Sequence, residues 1–261
     1  MGCLRRLVQF VFTLVVVALL LAIGGYYLLL QTMRTELADA LRRKFMLPPS
    51  STVTIEPGDI MDTLNGEVES IHIESREASV SGIRVENVDF VAERLTFDIL
   101  NLVTRKNPVL KEVDYAEVSF AIRPEDLAAA WAERARHYGI SNLTVRFKDA
   151  EGDELPLVEV TAKSELLGRE FELKVNGYFR LIDQREIAFK VKDFELGLLR
   201  LGRELLESVF MRMAPRLRIG DLQGDLYIDN FYVRNGSLRV EAHTRGVAAL
   251  EESPQPTQPE E

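Results

Sequence analysis

Cysteine is almost absent from this 261-residue chain. A single one, Cys3, excludes an internal disulfide, so any core must be held by packing alone. Cys3 does not fit a lipoprotein signal, because such a cysteine follows the apolar run and Cys3 precedes it. Met1-Gly2-Cys3 resembles a myristoylation start, but that pattern asks for Ser or Thr at the sixth position, where Arg6 stands. Cys3 reads as a thiol at the inner membrane edge, open to acylation. Basic residues are in deficit. Residues 1–33 hold no acid and only Arg5 and Arg6, so the rest carries 32 − 2 = 30 basic against 41 acidic residues, a net charge of −11. That balance is poorly suited to nucleic acid, since binding it rests largely on Lys and Arg neutralising phosphates, and leaves only a local basic patch open. It also gives no bulk attraction to anionic lipid.

Catalytic signatures are missing as well. There is no G-x-S-x-G, P-loop, Rossmann glycine pattern or H-E-x-x-H. His72, His137 and His243 stand isolated, none within helix spacing of another histidine or a cysteine, so no motif indicates a metal site. Asp59 and Asp62 flank Ile60 and Met61 and read as a solvated turn. Asn142-Leu143-Thr144 and Asn235-Gly236-Ser237 match glycosylation sequons, a pattern short enough to arise by chance. No cofactor or metal is called for, and the chain is not expected to be an enzyme.

What is present is concentrated at the start. Leu7 to Met33 contains no charged residue. At ~1.5 Å per residue, Leu7–Leu30 makes a helix of roughly 36 Å, enough for a hydrocarbon core of about 30 Å with some tilt. The run is longer than a signal-peptide core, which favours a retained anchor, although Ala22-Ile23-Gly24 resembles a cleavage site. Arg5, Arg6 and the amino terminus favour N-inside; Arg34, Arg42, Arg43 and Lys44 oppose it, but a long following domain translocates largely regardless of charge. The expected division is residues 1–6 cytoplasmic, 7–33 the anchor or uncleaved signal, 34–246 one extracytoplasmic domain, and 247–261 a disordered acidic Pro-rich tail. The location that follows is a cell membrane, crossed once.

Leu37, Leu41 and Phe45 continue an apolar helical stripe past the span, with Arg42, Arg43 and Lys44 near its end, either against lipid headgroups or simply solvated. Pro48 and Pro49 then break it. Strands dominate from Thr52, with a helical turn or two at Gly58–Leu64 and a loop or short helix within 101–111. Within Ile83–Ile99 the apolar phase shifts, from Ile83 and Val85 to Val88 and Phe90 and then to Leu95, Phe97 and Ile99. A strand that changes parity needs a bulge or a change of partner. Val113–Ile122 places Ala116, Val118, Phe120 and Ile122 together. Pro124-Glu125-Asp126-Leu127 starts a helix whose face carries Leu127, Trp131, Ala135 and Tyr138, stopped by Gly139. Trp131 reads as a core anchor. Strands at Ile140–Lys148, Leu155–Ala162, Phe171–Leu181 and Ile187–Leu196 follow, then a helix from about Leu198 to Met213 and a closing hairpin around Asn235-Gly236. The fold class is α+β: a curled, mainly antiparallel sheet wrapped on one or two helices.

Ser81-Gly82-Ile83-Arg84-Val85-Glu86-Asn87-Val88-Asp89-Phe90, with Leu95-Thr96-Phe97-Asp98 after it, resembles the LmeA-like phospholipid-binding family of bacterial envelope proteins. The resemblance runs over most of residues 34–245, including the helix start at Pro124 and the hairpin Val233–Val240. It implies a TULIP-like fold, in which long antiparallel strands curl around a helix and enclose an apolar cavity. It further implies a partner of phospholipid or glycolipid type, held by its acyl chains in the service of envelope maintenance or glycolipid assembly. Candidate lining residues are Val118, Phe120, Ile122, Val145, Phe147, Leu173, Val175, Phe189 and Val191, although for any single one of them an ordinary dry core is the commoner role. The rival reading is a non-catalytic scaffold of an envelope complex, with a protein partner of unknown identity. A hydrolase is the third, and no residue pair supports it.

Overall fold

The computed structural model describes residues 2–105, 109–148, 157–166, 169–196, 212, 214, 216–219 and 226–244. The helix expected from about Leu198 to Met213 and the tail from 247 onward lie outside the described residues, apart from Arg212 itself. The N-terminal apolar run and the amphipathic stripe after it form one unbroken helix, α1 (Gly2–Lys44). Its stretch Val16–Arg43 is long and apolar enough to cross a membrane by length and composition. Val16 to Leu28 displays mostly exposed apolar side chains, whereas Met33 and Leu37 are buried in the domain, with Leu29, Leu41 and Phe45 packed against them.

The strands divide into two antiparallel sheets. Sheet A has the order β1-β2-β3-β4-β11-β10, from β1 (Thr52–Pro57), β2 (Glu67–Val80), β3 (Ile83–Phe97), β4 (Leu110–Ile122), β10 (Leu226–Arg234) and β11 (Ser237–Thr244). Sheet B has the order β5-β6-β7-β8-β9, from β5 (Ile140–Lys148), β6 (Leu157–Leu166), β7 (Arg169–Ile182), β8 (Glu186–Leu196) and β9 (Leu217–Arg218). One sheet curls strongly into a half-barrel, and the curvature has a local cause in the long strands. In β3 the buried side changes from Ile83 and Val85 to Val88 and Ala92, then to Leu95 and Phe97. Asn87 and Arg94 take positive φ at those two changes, and the register against β4 shifts between Glu86 and Asp89. The bulge expected from the parity change is therefore present, and it adds twist.

Helix α4 (Pro124–Ala135) joins the two sheets and packs on β5 and β3. Proline occupies its first turn, and Arg123 just before it bridges Glu86 of β3 (3.0 Å) and Asp126 (3.2 Å). Leu127, Trp131 and Ala135 are buried, but Tyr138 is exposed, which corrects its placement on that face. The α-helix ends at Ala135, and the 3₁₀ turn over Arg136–Tyr138 that follows it contains no buried residue before Gly139 ends it in the left-handed conformation.

The sheets are clasped at two points. Ser81, in the turn between β2 and β3, hydrogen-bonds both backbone groups of Arg218 in β9 (2.8 and 3.2 Å). The β7–β8 turn reaches β10: Ile228 N donates to Gln184 O (2.7 Å), and the Arg185 guanidinium lies 4.7 Å over the Tyr227 ring. The interior is one continuous apolar core that draws on α1, α4 and both sheets.

Two short helices complete the domain, α2 (Ile60–Asn65) and α3 (Ile99–Arg105). Asp59 and Asp62 form a reciprocal capping box at α2: Asp59 Oδ1 accepts from Asp62 N (2.9 Å) and Asp62 Oδ2 from Asp59 N (3.2 Å). The pair is thus a helix start, not a loose turn. The two sequon asparagines also have backbone roles, since Asn142 and Asn235 both sit at positive φ, where Asn is among the tolerated residues.

Candidate functional site

The inner face of sheet B is a set of apolar rows formed by strand register. Phe147 opposes Val158, Val158 opposes Gly177, and Gly177 opposes Val191. Val145, Val160 and Val175 make the next row, and Ala162 with Leu173 the one after. Period-two alternation puts each row on one side of the sheet, and these side chains are buried apart from a half-buried Phe147. Aromatic rings run across the rows. Trp131 of α4 meets Phe189 edge-on at 4.9 Å, Phe189 meets Phe179 at 5.9 Å, and Phe179 meets Phe147 at 6.4 Å. Trp131, the sole tryptophan, is fully buried at the end of this chain.

Gly177 makes the ring chain possible. A Cβ there would lie 2.3 Å from Phe189 Cζ and 2.4 Å from the Lys190 carbonyl oxygen, so only glycine leaves room for the Phe189 ring. The register slips by one residue between Asn176 and Gly177. Gly177 was not among the residues singled out from sequence, although a lone glycine inside a strand does mark a bulge or a close approach.

Six of the nine candidate lining residues, Val145, Phe147, Leu173, Val175, Phe189 and Val191, thus share the inner face of sheet B. The other three, Val118, Phe120 and Ile122, are buried on β4 of sheet A opposite Ala242, Val240 and Leu238. All belong to the same core with its packed neighbours. This region offers apolar surface and no chemistry. The buried polar side chains among the described residues are Ser51, Thr63, Ser75, Glu159 and Thr244. Ser51 and Ser75 bond each other (2.7 Å), Thr63 donates to Gly58 O (3.3 Å) and Thr244 accepts from Ala116 N (2.8 Å).

Polar groups gather instead on the outer faces. A groove of about 650 Å³ over β1, β2 and β3 is lined by Thr54, Glu56, Glu69, Ser70, His72 and neighbours. His72 lies 3.0 Å from Asp89 and 3.7 Å from Glu74, and His243 contacts Asp229. Among the described residues no group of three or more His, Cys, Asp or Glu side chains could hold a metal ion.

Glu159 sits on the outer side of β6 between Lys148 (2.9 Å) and Lys174 (3.3 Å). The hydrogen bond from Lys148 holds its carboxyl below the usual Glu range against the opposing pull of burial, and Lys174 helps. A depressed carboxylate contributes stability above its unfolded pKa of about 4.3, and the contribution is lost as pH falls through the lower folded value. Glu159→Gln is therefore expected to lower the melting temperature at pH 7, with the gap to the wild type closing as pH falls below about 4. Thermal scans of both proteins from pH 7 to 3.5 check it, and a gap that stays constant would refute the ion-pair account.

A family model described as LmeA-like phospholipid-binding matches residues 27–243, most of the chain. No curated protein and no solved structure matches. The matched region takes in the domain-packed half of α1, both sheets and α4.

Proposed function

The chain belongs to the LmeA-like phospholipid-binding family, and on that premise we propose that it is a membrane-tethered, extracytoplasmic protein that holds phospholipid or glycolipid acyl chains against its apolar interior. Residues 7–33 serve as the anchor, with its last turn already packed on the domain through Leu29 and Met33, 34–246 as the binding domain, and the role is maintenance of a bacterial envelope or assembly of its glycolipids. The observation that carries this reading beyond the family is the inner face of sheet B. Its rows from Val145 to Val191 offer contiguous apolar surface without a single charged side chain, as an acyl chain requires. Val118, Phe120 and Ile122 extend the same surface from sheet A.

The sole tryptophan makes the reading directly testable. No tryptophan lies in the membrane helix, so all indole fluorescence comes from Trp131. The full chain is reconstituted with phospholipid carrying bromine on its acyl chains, a short-range quencher. Strong quenching of Trp131, reversed on exchange into unbrominated lipid, is the expected result. Emission identical in the two lipids would mean that acyl chains surround the helix but never reach the interior, and the scaffold reading would take its place.

A further inference from the structure

Five of the eight large apolar side chains exposed outside α1, among the described residues, gather at one end of sheet A. They are Ile60, Met61 and Leu64 of α2, Leu100 of α3, and Val109. Exposed apolar residues scattered singly need no explanation, but a cluster does. On α2 the spacing i, i+1, i+4 puts Ile60, Met61 and Leu64 on one side, while Thr63 turns inward and is fully buried. Leu100 is 73% exposed, the most of the five.

Sheet topology brings α2 and α3 to the same place. Pro57, the last residue of β1, pairs with Val68 near the start of β2, and Glu67 pairs with Thr96 near the end of β3. The helices that follow β1 and β3 therefore abut. Phe97 N donates to Gly66 O at the α2 cap (2.8 Å), and a Cβ added at Gly66 would lie 2.9 Å from Ile99 Cγ1. Val109 is tied in through its carbonyl, which accepts from Asp98 N (2.9 Å).

This is also the end at which α1 leaves the domain. Ser79 N, near the β2–β3 turn at the opposite end of sheet A, donates to Phe45 O just past the helix (3.2 Å). From there α1 runs back along the sheet, packs on β1 and α3, and emerges as the exposed apolar stretch Val16–Leu28. Two apolar surfaces that meet at α3 call for the same environment. The acids beside the patch are partnered: Asp59 and Asp62 each accept a backbone N–H at the start of α2, and Asp98 accepts from Asn101 N (3.0 Å) and lies 3.7 Å from Lys111.

We propose that α2 and α3 form a foot that enters the lipid–water interface beside α1 and seats the domain directly on the phospholipid bilayer. The inference rests on α1 being membrane-inserted. The foot supplies a second point of contact, fixes the tilt of the domain, and keeps the α2/α3 end against the acyl layer.

The test uses the full chain with Cys3→Ser and one new cysteine at a time at Met61, Leu100, Leu20 or Glu125. Each carries an environment-sensitive fluorophore, and the protein is reconstituted in phosphatidylcholine vesicles containing spin-labelled lipid. Labels at Met61 and Leu100 are expected to be quenched about twofold or more beyond the label at Glu125, at the far end of β4. Quenching at Leu20 with Met61 and Leu100 no different from Glu125 would overturn the foot and leave the tether standing. A Leu20 label that escapes quenching would overturn the tether and the foot with it. Labels at Met61 and Leu100 that are blue-shifted but unquenched would assign the face to a protein partner and so refute the bilayer as its occupant.

Discussion

Trp131→Ala is expected to destabilise the domain by about 3–5 kcal/mol, the range for removing a large aromatic from a core. The indole is fully buried, and it stands edge-on to Phe189 at 4.9 Å, a contact that adds to area burial. Its position makes the loss larger than its own contacts. Helix α4 is the connection between the two sheets, and Trp131 fastens that helix to the inner face of sheet B. For a domain of this size the melting temperature is expected to fall by about 10 °C or more. Circular dichroism is the suitable probe, because the variant has no tryptophan to report by fluorescence. Trp131→Phe keeps an aromatic edge at Phe189 and should recover more than half of the loss. A Trp131→Ala protein within about 1 kcal/mol of the wild type would contradict the anchor role and indicate an interior that tolerates empty space.

That anchor role was legible in the sequence, and so were the faces of the strands. Ala116, Val118, Phe120 and Ile122 alternate without interruption, and all are buried as the pattern requires. The parity change in Ile83–Ile99 pointed to the bulge that Asn87 now marks. Asn235-Gly236 gave the last hairpin, with both residues at positive φ. What periodicity could not give is partnership. Nothing local to β4 says that it pairs with β11, more than a hundred residues away, or that the chain changes sheets across α4. An alternating strand states which side is apolar, not which strand lies beside it. The same limit applies to Ile60, Met61, Leu64 and Leu100: nothing in the sequence separates them from apolar residues that short helices bury, and only their exposure in the folded chain does. The candidate lining set was legible as a face but not as a place: three of its members lie on sheet A and six on sheet B. Asp59 and Asp62 depart from the expected solvated turn because their three-residue spacing ahead of an apolar run closes a capping box, with Asp in the place where Glu or Gln is usual.

The fold does more than collect apolar surface. Charge is kept to the outer faces, where Glu159 holds Lys148 and Lys174 in a cross-strand ladder and Arg123 ties β3 to α4. With no disulfide, these ladders and the two clasps at Ser81 and Gln184 are what fix the edges of a core assembled from distant strands. The interior can then stay free of charge, which is the condition for an acyl chain to replace protein contacts without stranding a buried ion.

Gly177→Ala tests whether that interior has any slack, and it is expected to cost about 3 kcal/mol, the upper part of the overpacking range. The added methyl would meet two obstacles at once, Phe189 Cζ at 2.3 Å and the Lys190 carbonyl at 2.4 Å. The ring can yield by moving, but it is held between Trp131 and Phe179. The carbonyl cannot yield without bending the β7–β8 ladder at the point where its register already slips. The two contributions separate in a double-mutant cycle with Phe189→Leu. Shortening that side chain removes the ring collision and leaves the backbone collision in place, so Gly177→Ala should cost about 1 kcal/mol less in that background. Equal cost in both backgrounds would place the whole penalty on the backbone. Loss of stability by Gly177→Ala together with weaker quenching of Trp131 by brominated lipid would tie the Phe189 ring position to acyl-chain access. A variant as stable as the wild type would show that sheet B has room beside Gly177, and the ring chain from Trp131 to Phe147 would then not be the rigid floor that its spacing indicates.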